Sequence, residues 1–162
     1  MFRNAVILLV LLVAGCTEPG AMTSEEAAHV ALMDEMSRAF NAKDPDLLER
    51  FYSEDVVYRS HGPWAPQGRT LDREGLKKSL AFGMRAFPDR RTTLKNRYVD
   101  GDTVVEEVEW VGTASMEHPT LPEGERQILQ DVTFTRFRDG KIVEVREYAL
   151  LVSGDHDRAA AD

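Results

Sequence analysis

Apolar residues recur at helical spacing through the first half of the chain and at strand spacing through the second. Ser24-Glu25-Glu26 opens the first helical stretch, with Ser24 as cap and two acids in the first turn. Val30, Met33 and Phe40, with Ala27 and Met36 nearby, form one buried stripe that runs to about Asn41. His29 lies beside it, as a boundary residue. Asp44-Pro45 starts a short second helix with Leu47, Leu48 and Phe51 on its apolar side. Asp55 to Ser60 reads as a strand, and His61 to Gly68 as a loop punctuated by Gly and Pro. Asp72 caps a third helix, where Leu76, Leu80, Met84 and Phe87 are spaced for burial.

From Arg90 the period changes to two. Arg91 to Val99 is a strand, turned by Asp100-Gly101-Asp102. Thr103 to Ala114 follows, with Val104, Val108, Trp110 and Gly112 on its apolar side and Glu106 carried along with them. A loop from Met116 to Gly124 leads into a long hairpin, Ile128 to Leu151. Its Asp139-Gly140 turn suits a type I′ connection. An uninterrupted register from that turn sets Val132 opposite Glu147, Phe134 opposite Val145 and Arg136 opposite Val143. One face is then Val132, Phe134, Val143, Val145, Ala149 and Leu151, with Glu147 in its middle. The other face, with Thr133, Thr135, Glu144, Arg146 and Tyr148, is polar and suits an exposed or partner-covered surface.

A carboxylate on a core-facing strand position is unusual, because desolvation disfavours its charge. Glu147 is either a structural acid bonded to a neighbour or an acid/base group in an apolar pocket. Helices followed by four long strands make an α+β pattern, one layer of helices on a curved sheet. Such a cone has an apolar interior able to hold a small molecule.

The N-terminus carries a different signal. Met1-Phe2-Arg3-Asn4 precedes the apolar run Ala5 to Ala14, then Gly15-Cys16. The run is too short to span a membrane and fits a secretory signal. Val13-Ala14-Gly15-Cys16 resembles the lipobox of bacterial lipoproteins, which implies cleavage before Cys16 and lipidation of its thiol. The expected organisation is a signal peptide (residues 1–15), a tether (16–23), one domain (24–152) and a flexible tail (153–162). Cys16 is the single cysteine, which excludes a disulfide framework. A net charge of −8 argues against nucleic acid as a partner. No His/Asp/Glu spacing reads as a metal site, and no cofactor is implied. His61 and His118 fall in loops, and His61 near the cone mouth is a candidate proton carrier.

Several strings in order carry a further resemblance. Phe40-Asn41-Ala42-Lys43-Asp44, Leu47 to Val57, Gly68-Arg69, Asp139 to Glu144 and Arg146-Glu147-Tyr148 together resemble the SnoaL-like branch of the nuclear transport factor 2-like superfamily. The resemblance covers Glu25 to about Leu151. It implies a cone-shaped, curved, antiparallel-rich mixed sheet with three N-terminal helices packed on its concave face. It also implies dimerisation through the outer face of the sheet, which would place Thr133, Thr135, Glu144, Arg146 and Tyr148 in a homodimer interface.

The superfamily holds both enzymes and binding domains, so the site has to decide between them. The base of the ketosteroid isomerases corresponds to Ser60 and their helix-one tyrosine to Met36, which disfavours that chemistry. The acid of the cyclases and epoxide hydrolases, between Arg and Tyr, corresponds to Glu147. Arg136 shares its expected face but lies about 13 Å away along the strand. Glu106 is the other candidate for a second acid. Tyr58, Trp64, Trp110, Val132, Phe134 and Val145 are the expected ligand-binding residues. The reading ranked first is a lipid-anchored domain that binds a small apolar molecule without turning it over. The alternative is a cyclase-like, dehydratase-like or epoxide hydrolase-like enzyme with Glu147 as acid/base.

The leader makes its own prediction. Cys16→Ser should move the protein from the membrane fraction, expected to be the outer membrane facing the periplasm, to the soluble fraction. Unchanged membrane association of Cys16→Ser would remove the anchor.

Overall fold

The computed structural model describes residues 21–117 and 121–154. The signal stretch, Cys16, His118 and the last eight residues lie outside the described residues. The elements are α1 (Ser24–Ala42), α2 (Leu47–Phe51), β1 (Tyr52–Gly62), β2 (Ala65–Leu71), α3 (Arg73–Ala86), β3 (Arg91–Asp100), β4 (Thr103–Thr113), β5 (Arg126–Arg138) and β6 (Lys141–Gly154). The six strands form one open sheet in the order β2-β1-β6-β5-β4-β3. Only β1 and β6 run parallel; every other pair is antiparallel. The class is therefore α+β with a mixed sheet and three helices.

α1 starts one residue earlier than its sequence suggests. Thr23, not Ser24, is the cap, and it shares a capping box with Glu26: the Glu26 amide donates to Thr23 Oγ1 at 3.2 Å, and the Thr23 amide donates to Glu26 Oε2 at 2.7 Å. Glu26 Oε1 also accepts from the Gly101 amide at 3.0 Å, which ties the helix to the β3–β4 turn. His29, expected at the boundary of the stripe, is instead buried there, its ring stacked on Phe137 at 4.5 Å and its Nδ1 3.1 Å from the Gly101 carbonyl. The main core joins Met33 of α1, Leu47 and Phe51 of α2, Val56 of β1, Leu76 of α3, Val104 of β4 and Ile142 and Val145 of β6.

The stretch expected as a loop between residues 61 and 68 is mostly strand. β1 continues to Gly62, turns through Pro63-Trp64, and returns as β2. Gly and Pro punctuation misleads here because β2 is an edge strand. It bonds on one side only, so Pro66 deprives the ladder of little.

The long hairpin brings the largest correction. Asp139 and Gly140 both have positive φ, 52° and 71°, as a type I′ turn requires. Arg138 pairs Lys141 and Phe137 pairs Ile142, as the turn dictates. The register then shifts by one: Arg136 pairs Glu144, and Val143 is the extra residue of a β-bulge. Beyond it Thr135 pairs Val145, Thr133 pairs Glu147, and Val132 pairs Tyr148.

On β6 the expected faces survive beyond the bulge, but Ile142, expected on the polar face, is buried in the core with Phe137. On β5 they are exchanged. Asp131, Thr133, Thr135 and Phe137 share the face of Val145 and Glu147, while Val132, Phe134 and Arg136 share the outer face with Glu144, Arg146 and Tyr148. Thr133 and Thr135 are thus removed from the outer surface on which an interface was expected. That surface carries Phe134 instead, with the Arg146 guanidinium 5.3 Å over its ring and Tyr148 edge-on at 6.2 Å.

This register separates two substitutions. Thr135 is 2 % exposed, so Thr135→Arg buries a charge without a partner and should destabilise by roughly 3 kcal/mol or more. Val132→Arg on the outer face should cost less than about 1 kcal/mol. Urea unfolding of both variants checks the order, and a larger loss for Val132→Arg would refute the bulged register.

Candidate active site

The inner face of the sheet and the helices α1 and α3 enclose a cavity of about 300 Å³. Met33, Met36 and Phe40 of α1, Leu76 and Leu80 of α3, and Val108 and Leu129 of the sheet make its wall mostly apolar. Tyr58, Arg69, Asp131 and Glu147 bring polar atoms to it. Apolar walls with a few convergent polar groups are the usual form of a small-molecule site.

Strand pairing brings these four together. Tyr58 and Ser60 alternate to the inner side of β1, and the parallel pairing with β6 sets Tyr58 beside Val145 and Ser60 beside Glu147. The Tyr58 hydroxyl donates to Glu147 Oε2 at 2.7 Å. Burial first, and the adjacent Glu147 charge second, push the Tyr58 phenol well above its ordinary value, so it remains a donor. Arg69 comes from β2. Its Nε donates to Ser60 Oγ at 3.0 Å and its Nη2 to Ser79 Oγ at 3.1 Å. Ser60 is fully buried and serves to aim this guanidinium.

Glu147 is held between opposing influences. Desolvation raises its pKa above the ordinary carboxylate value, and the Tyr58 hydrogen bond and the Arg69 charge offset that rise only in part. Asp131 has no such help. It lies on the same face two residues along β5 from Thr133, the partner of Glu147, which puts the two acids at a diagonal spacing of about 7 Å. Asp131 is 6 % exposed, and its Oδ1 has no hydrogen-bond partner. Burial and then the charge of Glu147 push its carboxyl up to about 8. The charge of Glu147 raises Asp131, so the two do not ionise together: Glu147 gives up its proton first, and Asp131 keeps its own at pH 7. A further orphan donor, Trp64 Nε1, lies on the same wall.

The other expected site residues sort by face. Tyr58, Trp64, Trp110 and Val145 line the cavity. Trp110 also packs edge-on against Phe87 at 5.0 Å. Val132 and Phe134 do not line it; the bulge at Val143 turns them outward. Arg136 is outward too and bonds Glu144 at 2.9 Å. Glu106 faces inward but is engaged by Arg97, whose Nε and Nη2 reach its Oε1 at 2.7 and 2.6 Å. Arg97 also holds Asp34 at 2.8 Å. The second acid beside Glu147 is thus Asp131. His61 is not at the cavity; it is exposed on the outer face and stacks on Tyr148 at 5.4 Å. Asp131 and Arg69 went unrecognised in the sequence. Only a correct hairpin register and a recognised β2 would have placed them inside.

A family model described as SnoaL-like domain matches residues 33–145. The chain belongs to the SnoaL-like domain family. Among solved structures it is similar to AclR, a proposed hydroxylase from Streptomyces galilaeus, at 26 % identity with a TM-score of 0.68, over 78 % of this chain and 81 % of that one. It is similar to IdmH, a proposed polyketide cyclase from Streptomyces antibioticus, at 27 % identity with a TM-score of 0.62, over 82 % and 95 % of the two chains. A proposed SnoaL-like polyketide cyclase from Jannaschia sp. CCS1 shares the fold at 19 % identity with a TM-score of 0.67, over 86 % and 94 %. No protein of curated function matches the chain in sequence.

The raised carboxyl of Asp131 has a consequence for stability. A group whose folded pKa exceeds its unfolded value supports the fold at low pH and loses that support as pH rises towards the folded pKa. For Asp131 the window runs from about 4, the unfolded value, to about 8. Asp131→Asn keeps the shape and cannot ionise. Its stability relative to wild type should rise across that window by up to about 1.4 kcal/mol per pH unit, then level off. Urea unfolding of both proteins from pH 5 to pH 9 tests this; a difference independent of pH would mean that Asp131 is not a buried neutral acid.

Proposed function

We propose that the protein is an acid–base enzyme acting on a small, largely apolar molecule that bears a carbonyl group. The observation that carries this reading is the divided pair of Asp131 and Glu147 in one apolar cavity. Glu147, the first of the pair to ionise, is in its carboxylate form the base that takes a proton from carbon next to the carbonyl. Asp131, still protonated at neutral pH, is the acid that donates to the carbonyl oxygen as negative charge develops there. Tyr58 positions Glu147 through its hydrogen bond. Arg69 balances the carboxylate charge without a direct bond to it. The resulting enol is the common starting point for ring closure or loss of water. The relatives described as polyketide cyclases agree with that chemistry.

The pair changes the ranking made from sequence. An incomplete set of acids favoured a domain that only binds, and the bulge supplies the missing member. Binding without turnover is still the second reading, favoured by the apolar wall.

Solvent-deuterium exchange at the acidic carbons of 2-tetralone and benzoylacetone, followed by mass spectrometry, separates the two. The wild type should accelerate exchange of at least one of them. Glu147→Gln should lower that rate by about 10²–10⁴-fold, the usual contribution of a positioned base. Asp131→Asn should remove the upper limb of the pH profile, which the acid controls. Binding of these ketones by the wild type with no accelerated exchange would leave the receptor reading in its place.

A further inference from the structure

Arg90 precedes β3 and lines the same cavity at a distance from the acid pair. The ladder gives its place. Arg91 pairs Val111, Val111 pairs Ile128, and Glu147 pairs Thr133. The levels of Arg90 and Glu147 therefore differ by at least five residues of β5, about 17 Å of backbone. The two residues stand towards opposite ends of the pocket.

Arg90 is only 5 % exposed. Its Nη2 reaches the Phe40 carbonyl at 3.5 Å, a long contact, and its guanidinium lies 4.5 Å over the Phe40 ring. Its Nη1 is buried without any hydrogen-bond partner. The other inward arginines are matched: Arg69 by two hydroxyls and the field of Glu147, Arg97 by Glu106 and Asp34. Among the described residues no carboxylate forms an ion pair with Arg90, and burial alone acts on its charge, disfavouring it. A guanidinium does not deprotonate in a protein, so it stays charged. The aromatic face and the carbonyl at the C-terminal end of α1 make this tolerable. They leave one arm of the fork unused.

We infer that Arg90 is a specificity residue that holds an anionic group, a carboxylate, on the molecule occupying the cavity. A carboxylate at Nη1 supplies the charge-assisted hydrogen bond that the chain itself does not. Asp131, which meets the carbonyl oxygen, stands at least three residues of β5 from the level of Arg90, about 10 Å of backbone, so the carboxylate and the reacting carbonyl are two separated groups of one molecule. The substrate class is then an apolar keto acid. This deepens the acid–base reading and rests on it for the word substrate, whereas the anion preference is a property of binding alone.

Titration calorimetry at pH 7 with 4-phenylbutyrate and its methyl ester tests the inference without turnover. The wild type should bind the acid at least about tenfold tighter than the ester, the effect of a single charge-assisted bond worth about 1.4 kcal/mol. Arg90→Met should bring the two within twofold by weakening the acid alone, and Arg69→Met should retain the preference. Equal affinities in the wild type overturn the inference. So does a preference that survives Arg90→Met or vanishes in Arg69→Met. If Arg90→Met does not fold, the wild-type comparison and Arg69→Met still decide. The acid preference without deuterium exchange would sink the catalytic reading and spare this one; exchange without the preference would do the reverse.

Discussion

One extra residue, Val143, determines which side chains of β5 the cavity receives. A β-strand has a side-chain period of two, so a one-residue shift in pairing exchanges its faces completely. The I′ turn at Asp139-Gly140 sets the pairing of its first two residue pairs. Without the bulge it would have carried Val132 and Phe134 inward and left Asp131 and Thr133 outside. With it, β6 keeps its inner face through Val145 and Glu147, and β5 brings Asp131, Thr133 and Thr135 to meet them. The cavity exchanges apolar lining for an acid and two hydroxyls. That exchange makes little sense as packing, since burying polar groups costs free energy unless they are bonded. It makes sense where polar groups are required for binding or proton transfer, and bulges are enriched near such sites.

Charge is treated differently on the two sides of the sheet. Outside, acids and bases meet in solvent-exposed pairs such as Arg59 with Glu144 and Arg138 with Asp55. These contribute little to stability. Glu106 shows that an inward acid can also be neutralised, by Arg97 close at hand. Asp131 and Glu147 receive no bonded cation. They are tuned by burial, one phenol and a guanidinium that acts through space. The contrast between Glu106 and Asp131, neighbours on adjacent strands, separates an acid used for architecture from one kept available.

The extents of the helices and of β3 and β4, and the inward places of Val145 and Glu147 on β6, were legible because periodicity reports burial directly. His29, read at the edge of the α1 stripe, and Ile142, read on the polar face, are instead buried. The frame Val104, Glu106, Val108, Trp110 faces inward as its pattern implies, and Glu147 was found by alternation. Three things were not legible. A bulge leaves no compositional trace: Val143 is a β-branched residue in a strand like any other. An edge strand tolerates Pro and Gly, so β2 looked like a loop and its Arg69 was lost with it. Arg90 lay at the start of a strand, where an arginine is ordinarily solvated. Its burial depends on Phe40, fifty residues away. Each failure concerns contacts between segments, about which local pattern is silent.

The parallel pairing of β1 with β6 has a temporal side. It joins residues 52–61 to residues 142–148, so the two strands beside each other in the sheet are made far apart in time. During synthesis β1 can pair with β2, but its other edge stays open until the last hairpin emerges. Ser60 and Tyr58 likewise have no Glu147 to meet before then. Contacts of this separation carry a large loop-closure cost and slow folding. A chain emerging from the N-terminus cannot close its sheet early, however quickly its helices form. Until β6 emerges, the two parts of the sheet, β2-β1 and β5-β4-β3, have no strand to join them.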